Sequence, residues 1–212
     1  VRHELISLRP GNNGGIQYAV YTGSANVPYN SDSTYSSFDP VKYKTLTPYT
    51  SGTNLQVGPF DYKGSGSIPQ TIYGNPNKFQ SDYFVVNHRG YLYARESGTY
   101  SFQSQNPDDI VMVWVGPNAY SGYNGNKGNW ILRNPYGTGN TVATVDLVQG
   151  QYYPLRVIFA NAQQAAQLHF SVRSPDGTSI IDSDGNVNTQ YLVQYSCDGT
   201  TAPKYPAFGK ET

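Results

Sequence analysis

Six consecutive residues, Ile110 to Val115 (I-V-M-V-W-V), are apolar whichever way their side chains alternate. A strand of this kind is covered on both faces, so it belongs in the interior of a fold. Shorter runs rich in Tyr, Val, Ile and Phe lie around it, bounded by Gly, Pro, Asn and Ser. They predict strands over residues 16–21, 82–86, 91–94, 99–103, 110–115, 141–147, 152–160, 167–172 and 191–195. No long stretch has a helical period. The pattern predicts an all-β chain, an antiparallel β-sandwich with long irregular insertions.

Residues 22–80 differ from the rest. Pro28, Pro40, Pro48, Pro59, Pro69 and Pro76 interrupt them, and Gly and Ser recur between. A structureless loop of that length does not suit a compact domain. The segment is expected to wrap the sandwich, with short strands near Leu46 and Phe60. No composition break marks a boundary, so residues 1–212 read as one domain with a core over about 15–197.

The formal net charge is +0, which gives no attraction to nucleic acid or to an acidic membrane. Charged residues make up only 13%, too few for charge-driven disorder. No apolar stretch approaches the roughly 20 residues of a spanning helix, so no membrane insertion is expected. The chain opens at Val1 without a visible signal peptide and reads as a mature or excised domain. Cys197 is alone, so it is either a buried free thiol or paired outside this sequence.

The apolar run opens on Asn106-Pro107-Asp108-Asp109. Two adjacent carboxylates repel, and holding them beside a buried strand needs a cation or strong hydrogen bonds. One reading is a hard-cation site of oxygen donors, with calcium as the ion. The other is a plain turn whose carboxylates face water. A glycosidase pair needs carboxyls across a cleft, about 5–10 Å apart, and sequence neighbours on a strand point opposite ways. Glu96 reads as solvated. No enzyme is expected.

His3, His88 and His169 share no metal-ligand spacing. Asp182 to Asn188 imitates a calcium loop, but Gly185 and Val193 fall at the wrong positions, so a turn is expected there. Residues 116–129 form a Gly- and Asn-rich loop leading into Trp130. Its Tyr120 and Tyr123, with Trp130, are candidate stacking surfaces for a ligand. Trp114 lies in the buried run and reads as core.

Four segments in order carry a resemblance: R-G-Y-L-Y-A-R-E-S-G-T-Y-S-F, N-P-D-D-I-V-M-V-W-V-G, Y-Y-P-L-R-V-I-F-A-N-A and F-S-V-R-S-P-D-G-T. Together they resemble the GLEYA adhesin domain of fungal cell walls, a branch of the protective-antigen-type sandwich that includes the yeast flocculins. Gly90 to Ala94 stands where the family's name motif stands. It keeps the Gly, the Tyr and the final Ala, and departs at the second and third letters. The likeness runs from about Gly15 to Cys197.

The resemblance implies a calcium-dependent lectin that binds sugar hydroxyls directly on the ion. It implies a cis peptide between Asp108 and Asp109 that turns both carboxylates to one calcium. It places Asn161 and the carbonyls of Gln163 and Ala165 as the remaining ligands, and gives selectivity to the Asn161–Ala166 loop with Gln163 and Gln164. Flocculins carry an aromatic residue where this chain has Ala165. The implied partner is a terminal sugar of a cell-surface glycan or of chitin, with N-acetylglucosamine ahead of mannose and galactose. The implied setting is extracellular, in a fungal cell wall, as a monomer displayed in many copies. The alternatives are a calcium-independent protein- or glycan-binding sandwich and, third, a glycosidase. Removing Asp109 is expected to leave the fold intact, because the core strand begins beyond it.

Overall fold

The computed structural model describes residues 13–27, 35–64 and 68–212. The strands are β1 (Ile16–Thr22), β2 (Thr50–Asn54), β3 (Phe60–Tyr62), β4 (Pro69–Ile72), β5 (Asn75–Gln80), β6 (Phe84–Tyr93), β7 (Gly98–Asp108), β8 (Ile110–Val115), β9 (Leu132–Pro135), β10 (Thr141–Leu147), β11 (Tyr152–Asn161), β12 (Ala166–Arg173), β13 (Ser179–Ile181) and β14 (Leu192–Val193). One sheet runs β2-β1-β6-β11-β8-β9, with β14 beside β6. The other runs β10-β7-β12-β13, with β3 beside β12, and β4-β5 forms a separate hairpin. The long ladders are antiparallel.

The core between the sheets takes alternate residues from both: Val111 and Val113 of β8, Val157 and Phe159 of β11, Phe102 of β7, and Leu168 and Phe170 of β12. The other face of the first sheet is also buried. Ile110, Met112 and Trp114 pack there with Tyr21, Tyr43, Ala119 and Tyr123. Chain from the 35–46 segment and the 116–130 loop covers that face, which is why β8 is apolar at every position. Segment 22–80 does supply strands, but Leu46 is not on one. Asp39 caps a 3-10 turn at Pro40–Lys44 by accepting from the Val41 N–H at 2.9 Å, and the strand comes later, at β2.

The two strands expected over 82–86 and 91–94 are one ten-residue strand, β6. Its central Asn87-His88-Arg89 looks like a break because it is polar, yet all three are buried and pair on both sides. They stay in the ladder because each finds a partner. Asn87 Oδ1 accepts from Arg156 at 2.9 Å, His88 Nε2 lies 2.7 Å from the Tyr73 hydroxyl, and Arg89 Nε donates to Gln17 at 2.9 Å. Gly90 follows because β14 crowds it. A Cβ at this position would stand 2.9 Å from the Val193 carbonyl oxygen.

Arg89 and Arg156 face one another across the β6–β11 ladder, both fully buried. The C-terminal segment closes over them. Glu211 pairs with Arg89 and, at 3.1 Å, with Arg156, and accepts from the Tyr123 hydroxyl at 2.9 Å. Arg89 also stacks on Phe208, and Arg156 on Tyr123. The turn over 182–188 is as expected: Asp182 Oδ1 accepts from the Asp184 and Asn186 N–H groups. Cys197 is exposed, so the buried-thiol alternative does not hold.

His88 gives the fold a pH dependence. Burial pushes its imidazole down to about 3, with the Val157 backbone partly opposing. The unfolded chain takes up a proton below about 6.5 that the folded chain refuses, so this contribution is complete above 6.5 and is lost as pH falls. Between pH 7 and pH 5 the loss is about 2 kcal/mol. Urea unfolding of wild type and His88→Gln at both pH values, read as a difference so that other groups cancel, should show the gap closing by that amount. A gap that does not change with pH would contradict it.

Candidate functional site

β7 belongs to the second sheet and β8 to the first, so the chain changes sheets between them. Asp108 still pairs with Gln167 of β12, whereas Ile110 already pairs with Ala160 of β11. The change falls on the Asp108–Asp109 peptide, which is cis. A second change of sheet lies beside it, where β11 ends at Asn161 and β12 begins at Ala166. The two crossings are tied together: the Asp109 N–H donates to the Ala160 carbonyl at 3.2 Å, and the Ala162 N–H donates to Asp109 Oδ2 at 2.6 Å. A third crossing, from β9 to β10, flanks the other side, and its Tyr136 N–H donates to the Asp109 carbonyl at 2.5 Å.

Asp109 is buried, and its other oxygen accepts from the Tyr35 hydroxyl. Its carboxylate therefore braces Tyr35 and the 161–166 loop. This corrects the expectation that Asp109 can be removed without consequence for the fold: truncation frees two donors, at about 1–3 kcal/mol for a buried one. Asp108 is half-buried. Burial first, then the neighbouring Asp109 carboxyl, pushes its own carboxyl up to about 7.

Asn161 is fully buried, and its Nδ2 donates to the Ser81 carbonyl at 2.7 Å. Its Oδ1 is buried without a hydrogen-bond partner. Asp109 and Asn161 line one cavity of about 10 Å³ with Tyr35, Phe38 and Ala162, room for a single water-sized body. The loop then turns at Gln164, whose φ is 68°. Its N–H donates to Asp82 at 2.9 Å, and the Gln163 amide donates to the Tyr83 hydroxyl at 2.6 Å. Among the described residues no donor reaches the Gln163 or Ala165 carbonyl. The fit to a hard cation is good on donor chemistry: two carboxylates and an amide oxygen that lacks a partner, with two free carbonyls on the same loop. Among the described residues no group of three or more His, Cys, Asp or Glu side chains is placed to hold a metal ion, so the amide and carbonyl oxygens would have to complete the set.

The aromatic candidates lie elsewhere. The 116–129 loop leaves β8 at the end opposite Asp108. Tyr123 is fully buried, edge-on to Trp114, with its hydroxyl on Glu211, so it offers no surface to a ligand. Tyr120 packs on Tyr205 with its hydroxyl toward the Lys204 carbonyl. Trp130 is half-buried and donates to the Gly125 carbonyl within its own loop at 3.3 Å. Sequence reasoning missed Tyr35, Ser81, Asp82, Tyr83 and Tyr136. All five reach the site by pairing across long stretches of chain, and no local spacing signals them.

Two packed antiparallel sheets, with three of their crossings gathered at the Asp108–Asp109 end, have the architecture of a protective-antigen-type (PA14) sandwich. The same fold occurs in the A domain of epithelial adhesin 6 from Candida glabrata, solved with Galβ1-3GlcNAc (TM-score 0.64, 18% identity, 94% of each chain covered). It also occurs in the PA14 sugar-binding domain of an RTX adhesin (TM-score 0.55, 16% identity, 85% of this chain and 98% of that one). Residues 84–174, from the start of β6 to just past β12, match the GLEYA domain model. Flocculation proteins FLO9 and FLO1 of Saccharomyces cerevisiae are 30% and 29% identical to it over 51% and 44% of the chain. The matched regions are only 9% and 7% of those relatives' length.

Proposed function

We propose that this chain is the glycan-binding domain of a fungal cell-wall adhesin and that it binds a terminal sugar through calcium. The ligands are the Asp108 and Asp109 carboxylates, Asn161 Oδ1, and the Gln163 and Ala165 carbonyls. One observation carries the reading. Two neighbouring sheet crossings bring the acid pair next to a buried amide oxygen that has no hydrogen-bond partner. When bound, the ion would offer open positions to vicinal sugar hydroxyls. Gln164 is exposed, whereas the Gln163 amide is engaged by Tyr83, so Gln164 is the loop side chain best placed to select among sugars. Terminal N-acetylglucosamine ranks first, then galactose or mannose. The similarity to adhesin domains solved with sugars supports the class of ligand.

Binding is favoured over hydrolysis. Asp108 and Asp109 are immediate neighbours on one cis peptide, so this pair does not face across a cleft as a glycosidase pair does. A monosaccharide held by a few hydroxyls buries little apolar area, so Kd should be on the order of 0.1–10 mM, with adhesion resting on many displayed copies. The test is a glycan array and calorimetry in calcium and in chelator. Millimolar binding that disappears in chelator is expected. Binding that survives chelation would favour the calcium-independent sandwich, and turnover of an oligosaccharide would favour a glycosidase.

A further inference from the structure

On the other side of the 161–166 loop lies an open groove of about 490 Å³. Tyr49, Lys78, Phe79, Gln80, Asp82 and Tyr83 line most of it. The groove is joined to the acid pair by a short chain of contacts: Ala162 donates its N–H to Asp109, and its carbonyl accepts from the Tyr83 N–H at 2.6 Å. Tyr83 and Asp82 thus belong to both places, since Gln163 and Gln164 rest on them. Tyr83 sits at φ 54°, a left-handed conformation that only a determined backbone imposes on an aromatic residue.

We infer that this groove is a second saccharide subsite, holding a unit further along the oligosaccharide whose terminal sugar sits at Asp108–Asp109. The inference rests on the glycan-binding reading and extends it from a monosaccharide to a chain. Three observations favour a neutral sugar chain as the occupant. Three aromatic residues, Tyr49, Phe79 and Tyr83, are in the lining with Pro69, and Tyr49 is 52% exposed. The Tyr49 hydroxyl donates to the Lys78 carbonyl at 2.7 Å, which pins its ring as a flat, preformed surface. Lys78 and Asp82 balance in charge, so nothing selects an anion or a cation. A pyranose ring has an apolar C–H face and a polar edge, which matches a flat aromatic surface rimmed by an amine, an amide and a carboxylate. The exposed Gln163–Gln164 ridge lies between the two subsites, where a glycosidic link would cross.

The test is calorimetry in calcium with two matched pairs of probes: N-acetylglucosamine against its β1-4-linked trimer, and galactose against Galβ1-3GlcNAc. Wild type should bind the longer member of the pair it accepts about tenfold more tightly than the shorter, the gain expected for covering part of one aromatic ring. Tyr49→Ala should erase that gain and leave the monosaccharide Kd unchanged, and Tyr49→Trp should restore it. Tyr49 is at the surface, so neither change disturbs the core. Monosaccharide and oligosaccharide binding alike in wild type, or a Tyr49→Ala effect equal on both, overturns the groove and leaves the terminal-sugar site standing. No binding in calcium of either pair, or of mannose and its disaccharide run beside them, overturns both readings.

Discussion

Asp108→Ala is expected to weaken calcium-dependent glycan binding at least ~100-fold, about 2.7 kcal/mol, without lowering the thermal midpoint measured free of calcium. The two halves of this result come from different facts. The proposed cage has few donors, and removing one of its two carboxylates takes away a full charge opposite a divalent ion. From a starting Kd in the millimolar range, the variant's binding falls out of reach of calorimetry. Stability is spared because Asp108 braces nothing. Among the described residues no backbone N–H and no hydroxyl donates to its carboxyl, whose neighbour is another carboxyl. Asp109 is the poor choice for this experiment, since losing it also frees Tyr35 and Ala162. Addition of calcium should raise the midpoint of wild type and not that of Asp108→Ala, by the linkage of ligand to folding. A variant that still binds sugar in a chelator-sensitive way would remove Asp108 from the site.

Glu211→Ala is expected to cost about 3–5 kcal/mol of folding stability, the range for removing one partner of a buried ion pair. Glu211 is 3% exposed and is the acidic partner of two guanidinium groups that face each other on adjacent strands. Without it, Arg89 and Arg156 repel at close range with no water to screen them. The Tyr123 hydroxyl loses its acceptor as well. The exposed Lys63–Asp61 pair, 3.4 Å apart, is the control, and Asp61→Ala should change little. Urea unfolding at neutral pH reads both. A loss below about 1 kcal/mol at Glu211 would mean that the tail lies on the sheet without holding it.

Much of the frame was legible in the sequence. The apolar run 110–115 and the strand 141–147 fall on the observed bounds, β1, β11 and β12 extend one or two residues further, and β7 runs on from the expected 99–103 to Asp108. Strands announce themselves by alternation and by turn residues, both local signals. The acid pair was visible as a costly oddity, and the family resemblance supplied the idea of a turned peptide there. What stayed hidden is non-local. Asn87-His88-Arg89 reads as a loop until Arg156, Tyr73 and Gln17 are brought to it by three other strands. Tyr123 sits in a Gly- and Asn-rich loop that looks solvated, yet a glutamate 88 residues away fixes its hydroxyl in the interior. Loop composition reports the backbone's freedom to turn, and it does not report what the side chain meets after turning.

The ladder between β8 and β11 has a consequence for how this site can fail. Ile110 sits opposite Ala160, so Asp109 and Asn161 are each one residue beyond the same rung. Side chains alternate along a strand, and a slip of one residue moves every one of them to the other face. A slip would send Asn161 to the wrong side and shift it by about 3.4 Å relative to the acid pair. The alternation of small Ala160 and large Phe159 against Ile110 and Val111 opposes any such slip. At the proposed site, affinity for calcium would therefore be a gauge of strand alignment. Core substitutions at Val111 or Phe159, buried between the sheets, would be felt first as a loss of the ion, while the sandwich around it still stands.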